Sequence, residues 1–160
     1  MAIISNSNKS LKSIKSDYFL LFFIIIIAFA IRLYFLQSRV IIESEGTFYA
    51  TIAKNLLSGK GYVDLTGAVC LILPPFYPIM IAAFGLITKD IELAGRLVSL
   101  FFGTLIPIGV YLLGKDNYGR KVGLTGAFII AFSPLTIRSS TLVMTEMTYM
   151  SLLTFGIFFG

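Results

Sequence analysis

The sequence has no histidine, no tryptophan and a single cysteine, Cys70. One cysteine rules out an intrachain disulfide, and without histidine the common zinc clusters cannot be assembled. Acid–base chemistry must then fall to carboxylates, lysine or tyrosine. Cys70 itself reads as a small apolar residue in a loop. Charge is scarce as well: Asp, Glu, Lys and Arg make up 13% of the chain, with a net excess of +5. That excess is dispersed between apolar runs and builds no basic face, which excludes nucleic acid as a partner. Anionic headgroups and lipid phosphates fit it better.

What fills the space is apolar. Hydrophobic residues make up 57% of the chain and the mean hydropathy is +0.90. Soluble domains sit nearer 45–50% apolar. The chain therefore reads as an all-α, polytopic membrane protein whose first partner is the lipid bilayer. Residues 1–17 are rich in Ser, Asn and Lys and read as a flexible cytoplasmic tail. Residues 18–36 form the first span, about 28 Å long as a helix, close to the thickness of a hydrocarbon core. Ala28-Phe29-Ala30 mimics a signal-peptidase site, but the apolar run continues past it, so cleavage is rejected. Arg32, near the outer end, is expected to snorkel to the headgroups.

An outer loop is expected over residues 37–73. Within it Tyr49, Ile52, Ala53, Leu56 and Leu57 recur at helical spacing, which predicts an amphipathic helix over 47–58. It can lie on the membrane surface or pack as a small helix of the outer side. Pro74-Pro75 opens an apolar piece, 76–87, of only about 18 Å, too short to cross. Asp90 then caps a long helix, 91–113, of about 34 Å. A tight basic loop over 115–121 leads to a third span, 122–137, interrupted at Ser133-Pro134. Gly123 and Gly126 permit close helix contacts there. A last apolar run begins at Met147 and continues to Gly160. By the positive-inside rule the N-terminal lysines and the 115–121 loop are cytoplasmic. Glu43, Glu45, Asp64, Asp90, Glu92 and Glu146 then share the outer side. This is the multi-pass topology expected in a cell membrane, with the N-terminus cytoplasmic.

The most informative stretch is acidic: Glu43-Ser44-Glu45-Gly46-Thr47-Phe48-Tyr49-Ala50, directly after the first span. Carboxylates are costly beside a bilayer and call for a reason. Glu45 stands ahead of the predicted helix, where the helix dipole favours a negative charge. Arg138 and Glu146 fall in a second outer loop. A guanidinium there matches phosphate geometry, and Glu146 can face Glu45 across a site. Each has a plainer role as well: Arg138 as an interfacial anchor, Glu146 as a helix start, and Tyr49 as packing for its own helix. Arg96 is expected to pair with Glu92 at i, i+4.

The block Glu45-Gly46-Thr47-Phe48-Tyr49-Ala50 through Ser58-Gly59-Lys60-Gly61-Tyr62 resembles the first outer loop of GT-C glycosyltransferases. The likeness is to the protein O-mannosyltransferase and aminoarabinose-transferase branch. Pro74-Pro75-Phe76-Tyr77-Pro78, then Glu92-Leu93-Ala94-Gly95-Arg96-Leu97-Val98-Ser99 with Gly103-Thr104, then Tyr118-Gly119-Arg120-Lys121-Val122-Gly123-Leu124 follow in the same order. Ser133-Pro134 through Ser139 to Thr145-Glu146 and Tyr149 resembles the second outer loop. The resemblance covers about residues 18–160 and implies the N-terminal part of a GT-C transmembrane core. It implies transfer of a sugar, hexosyl or pentosyl, from a polyprenyl-phosphate donor to an acceptor on the non-cytoplasmic face. The acceptor (glycan, lipid or protein) is not specified.

In that resemblance Glu45 takes the catalytic acidic position, where aspartate is usual. Glu43, Tyr49, Arg138 and Glu146 are the candidate substrate contacts. Ile72-Leu73 stand where some relatives carry Glu-Lys, so that contact is not carried over. No cofactor and no metal site is identified: Glu43 and Glu45 are suitable donors for magnesium, but no further ligands are in view. Because the chain ends inside an apolar run, it is expected to be a truncated gene product or gene fragment that is catalytically weak or inactive by itself. Two other classes compete: a non-catalytic membrane scaffold or complex subunit, and a transporter fragment, which calls for charges within spans or paired broken helices.

Overall fold

A computed structural model of the chain describes the backbone of residues 2–37 and 44–160, and the side chains of 17–37 and 44–160. Seven helices make up the described part: α1 (Ala2–Leu36), α2 (Ser44–Leu57), α3 (Phe76–Thr88), α4 (Ile91–Tyr118), α5 (Arg120–Phe132), α6 (Pro134–Ser139) and α7 (Glu146–Phe159). No strand occurs among the described residues; a lone bridge joins Val63 and Val69. By length and composition two helices can cross a membrane, Asp17–Leu36 and Ile91–Tyr118. The shorter apolar helices are α3 and α7.

The local signals act where they stand. Asp90 accepts from the amides of Glu92 and Leu93 and fixes the start of α4. Pro75 is the N-cap of α3, and the helix closes on a left-handed Lys89 whose amide returns to Gly85 O. Glu92 and Arg96 pair one turn apart, as their spacing anticipated. α4 continues past its expected end to Tyr118, and α5 starts at Arg120. The basic stretch expected as a loop is therefore helical except at Gly119. With φ 91°, Gly119 takes a backbone conformation open to residues without a Cβ, and one residue reverses the chain.

The expected third span divides. Pro134 lacks an amide hydrogen and starts a new helix, leaving α5 with 13 residues, about 20 Å. Where three complete spans were expected, the described residues hold two helices of sufficient length. The stretch expected as a flexible tail is helical from Ala2 onward, continuous with the span.

α4 is the central helix. α1 runs antiparallel to it: Leu21 packs with Tyr111 near one end, while Arg32 near the end of α1 reaches Ala131 and Ser140. α2 and α3 pack on the first half of α4 around Tyr49, Ala53, Tyr77, Ile81, Ala94 and Val98. The bundle thus has two distinct ends. The Asp90 end carries α2, α3, α6 and the start of α7. The Gly119 end carries Asp17, Lys115 and Arg120.

Candidate functional site

α2 begins at Ser44, earlier than its apolar period suggests, so Glu45 lies in the first turn and not ahead of it. Gly46, Tyr49, Ile52 and Ala53 form its buried face. Of the two readings of this helix, the packing one holds: that face is in the core with α3 and α4. Glu45 and Phe48 stay exposed on the other side. Asn55 ties the following loop back, its amide donating to Val63 O (3.0 Å) and Asp64 O (3.3 Å). The Asp64 carboxylate accepts from the Thr66 hydroxyl, the Thr66 amide and the Ala68 amide. These bonds, the Thr66 hydroxyl foremost, hold its pKa below the ordinary carboxylate value. Tyr62 donates to Leu73 O at 2.9 Å and closes the loop onto Pro74.

Tyr77 is the junction of this end. It is 2% exposed, its ring meets Tyr49 edge-on at 5.2 Å, and its hydroxyl lies 2.8 Å from Ser99 Oγ and 3.3 Å from Gly95 O. Ser99 Oγ in turn donates to Met144 O at 3.1 Å. Burial raises the Tyr77 pKa well above its usual value, and the nearby Glu146 charge adds to the rise. Tyr77 thus links α2, α4 and the start of α7.

The segment from Ser140 to Glu146 sits in sockets on α4. A Cβ on Gly95 would lie 2.7 Å from Val143 Cγ1, and one on Gly103 would run into Ser140 Oγ. With Ser99 between them, these small residues recur every four positions and let the backbones approach. That spacing is visible in the sequence alongside the close-contact glycines Gly123 and Gly126. Gly123 is also a close contact, where a Cβ would lie 2.6 Å from Tyr111 O.

The candidate residues fare differently. Glu45 and Glu146 each occupy the first turn of a helix at the Asp90 end and are exposed. Tyr77 connects their neighbourhoods, since Tyr49 touches it and Glu146 acts on it electrostatically. Arg138 is exposed in the last turn of α6, the short helix leading to that segment. Tyr49 is 6% exposed and buried against Tyr77, a packing position that leaves little of it for a ligand. Glu43 lies outside the described residues. No group of three or more metal-ligating side chains occurs among the described residues. Beside Glu146 an apolar groove of about 220 Å³ runs between Pro74, Phe76 and Tyr77 on one side and Thr145, Thr148, Tyr149 and Leu152 on the other. Thr148 Oγ1 is buried there without a partner.

Arg32 is the residue the sequence placed wrongly. Its side chain does not snorkel outward; it is 0% exposed. Nε donates to Ser140 Oγ (3.2 Å), and Nη1 donates to Ala28 O (3.1 Å) and Ala131 O (3.0 Å).

The described residues thus form an all-helical bundle with two helices of membrane-spanning length, and the exposed carboxylates of Glu45 and Glu146 stand at one end, the latter beside an apolar groove. Residues 73–160 match the family model of dolichyl-phosphate-mannose-protein mannosyltransferase. The match covers more than half of the chain, and the chain belongs to that family of GT-C type glycosyltransferases. It starts at Leu73, so it takes in α3 to α7 and leaves α1, α2 and Glu45 outside. No curated protein and no solved structure matches the chain.

Proposed function

We propose that the chain acts in transfer of a mannose-type sugar from a polyprenyl-phosphate carrier, at the Asp90 end of the bundle. The family match carries this reading. In the proposed orientation the Gly119 end and the N-terminus are cytoplasmic, the chain crosses the membrane more than once, and the Asp90 end faces the non-cytoplasmic side. The charges support it, because Lys115, Arg120 and Lys121 cluster at the Gly119 end.

Glu45 is the proposed base. Its carboxylate takes the proton from the acceptor hydroxyl as that oxygen bonds to the anomeric carbon. The bond from that carbon to the phosphate oxygen breaks, and the polyprenyl phosphate departs with the electron pair. The phosphate is already a good leaving group, so one carboxylate and nearby cations are enough. Glycoside hydrolysis, by contrast, generally uses two opposed carboxyl groups. Arg138 is the proposed cation for the phosphate and Glu146 a sugar contact, with the apolar groove beside Thr148 receiving the first isoprene units. Glu43 and Tyr49 were the other expected contacts; Tyr49 serves the site through Tyr77.

The test uses the chain in proteoliposomes with radiolabelled polyprenyl-phosphate mannose. Donor binding, which does not depend on turnover, is the primary readout, and transfer to added acceptors is the second. Glu45→Gln should leave binding within about twofold and lower transfer by about 100-fold or more. Absence of saturable donor binding would overturn the proposal, and undiminished transfer by Glu45→Gln would remove Glu45 from it.

A further inference from the structure

Among the described residues Arg32 is a fully buried cation inside a membrane-length helix, and none of the hydrogen-bond acceptors recorded for it is a carboxylate. An unneutralised charge in such a place is costly, and an apolar side chain of similar length would be the easier choice. What Arg32 supplies is a fork of donors at fixed angles. One arm returns to Ala28 O on its own helix, and the same nitrogen reaches Ala131 O near the end of α5. Nε reaches the hydroxyl of Ser140, the C-cap of α6.

Those two distant acceptors bracket a corner whose backbone needs help. The last carbonyls of a helix have no intrahelical donors, and Pro134 brings no amide hydrogen. Ile130 O is met by Thr136 Oγ1 at 2.7 Å, and Ala131 O is met by Arg32. At the other end of α6, Ser140 Oγ accepts from Arg32 and donates to Thr136 O at 2.5 Å. Ser140 is also the residue seated on Gly103 of α4. The α5–α6 corner is therefore held between α1 and α4, with one guanidinium fastening both of its ends. Lysine, with a single nitrogen on a flexible stem, cannot span the two acceptors in one geometry.

We propose that Arg32 is a positioning residue, whose buried fork fixes the α5–α6 corner and thereby sets Arg138 and the approach to Glu146 at the donor site. Its functional half rests on the glycosyltransferase reading above; its structural half stands on the hydrogen bonds alone.

The experiment follows both. In a Cys70→Ser background in lipid nanodiscs, spin labels at Leu86→Cys (α3) and Leu135→Cys (α6), both exposed positions, report the corner. A second pair at Leu86→Cys and Phe101→Cys reports the α3–α4 body. Arg32→Met should broaden the first distance distribution or add a second peak, with the body pair unchanged. Arg32→Lys should fail to restore the single peak, and Ser140→Ala should give a milder broadening in a chain that keeps its arginine. An unchanged corner distribution in Arg32→Met, or full rescue by lysine, would overturn the proposal, as would equal broadening of both pairs in Ser140→Ala. In the unlabelled protein, polyprenyl phosphate alone is the binding probe. Arg32→Met should weaken it by about tenfold, the loss of roughly one well-placed charged contact. Unchanged binding in a variant with a loosened corner would sink the functional half. No binding by the parent would instead remove the glycosyltransferase reading and leave the spin-label result to decide on Arg32.

Discussion

The two ends of this bundle lean on charge to different degrees: the Gly119 end joins separate helices through it, the Asp90 end pairs it within α4. At the Gly119 end charged side chains hold the structure: Arg120 pairs with Asp17 across α5 and α1, and Lys115 Nζ donates to Tyr18 OH while lying 5.1 Å from its ring centre and 5.7 Å from that of Tyr111. At the Asp90 end the Glu92–Arg96 pair and the Asp90 cap act within α4, whereas α4 is fastened to α3 and to the 140–146 segment by backbone proximity and neutral hydrogen bonds, through Gly95, Ser99, Gly103 and Tyr77. Glu45 and Glu146 stay exposed there. Asp64, Asp90 and Glu92 at the same end are taken up by local hydrogen bonds and the Arg96 pair. The buried guanidinium of Arg32 is met by hydroxyl and carbonyl oxygens at Nε and Nη1, while Nη2 is buried without a hydrogen-bond partner.

The largest way to break the Asp90 end is to fill a socket. Gly103→Val puts two methyl groups where Ser140 sits, so either the corner moves off α4 or the helices separate. Overpacking of this kind costs about 1–3 kcal/mol. At roughly 2–4 °C per kcal/mol for a chain of this size, thermal melts in detergent should fall by several degrees. Gly156→Val, where nothing lies within 4 Å of an added Cβ, is the control and should melt with the parent. Equal melting of the Gly103 variant would refute the socket.

Much of this architecture is legible in the sequence because its causes are local. Asp90 caps α4 through amides two and three residues on, and the 76–87 stretch announces its own shortness, Pro75 standing at its start. The period that buries Tyr49, Ile52 and Ala53 is local as well. What fails is long-range. Arg32 reads as a snorkelling residue because the acceptors that bury it stand 99 and 108 residues away. The 115–121 stretch reads as a loop because its polarity is visible, whereas a reversal made by Gly119 alone is a matter of backbone geometry. The site divides the same way: each candidate acid can be assigned to a helix start, but Tyr77 as the link between α2, α4 and α7 needs three separate elements brought together.

A middle-sized effect sharpens the neutral character of the fastening at the Asp90 end. Tyr77→Phe keeps the ring packed on Tyr49 and removes only the hydroxyl that meets Ser99 and Gly95. The loss is about 1 kcal/mol. The pH dependence has a definite sign. The folded state raises the Tyr77 pKa, so its contribution is fully present below the unfolded phenol value of about 10 and is lost as pH climbs beyond it. Melting temperatures of the parent should begin to drop above about pH 10, and the drop should be shallower in Tyr77→Phe. Parallel curves would mean that other groups, Tyr62 among them, set the alkaline limit.

The smallest effect belongs to the other end. Asp17→Asn removes the partner of Arg120, whose side chain remains about a third exposed at 34%. Exposed pairs contribute little and are screened as the Debye length shrinks to about 3 Å in 1 M salt. The hydrogen bond to the Asp17 carboxylate raises the Arg120 pKa above its ordinary value. Melting of the parent should therefore fall slightly between 0.05 and 1 M sodium chloride, whereas Asp17→Asn should start slightly lower and show a flatter salt response. Gly103→Val should keep the full salt dependence of the parent at its lower melting point, because its damage is at a neutral packing contact, away from the Arg120–Asp17 pair. If that variant loses the salt response as well, the two ends are coupled through α4, and the division of labour between charge and close packing does not hold.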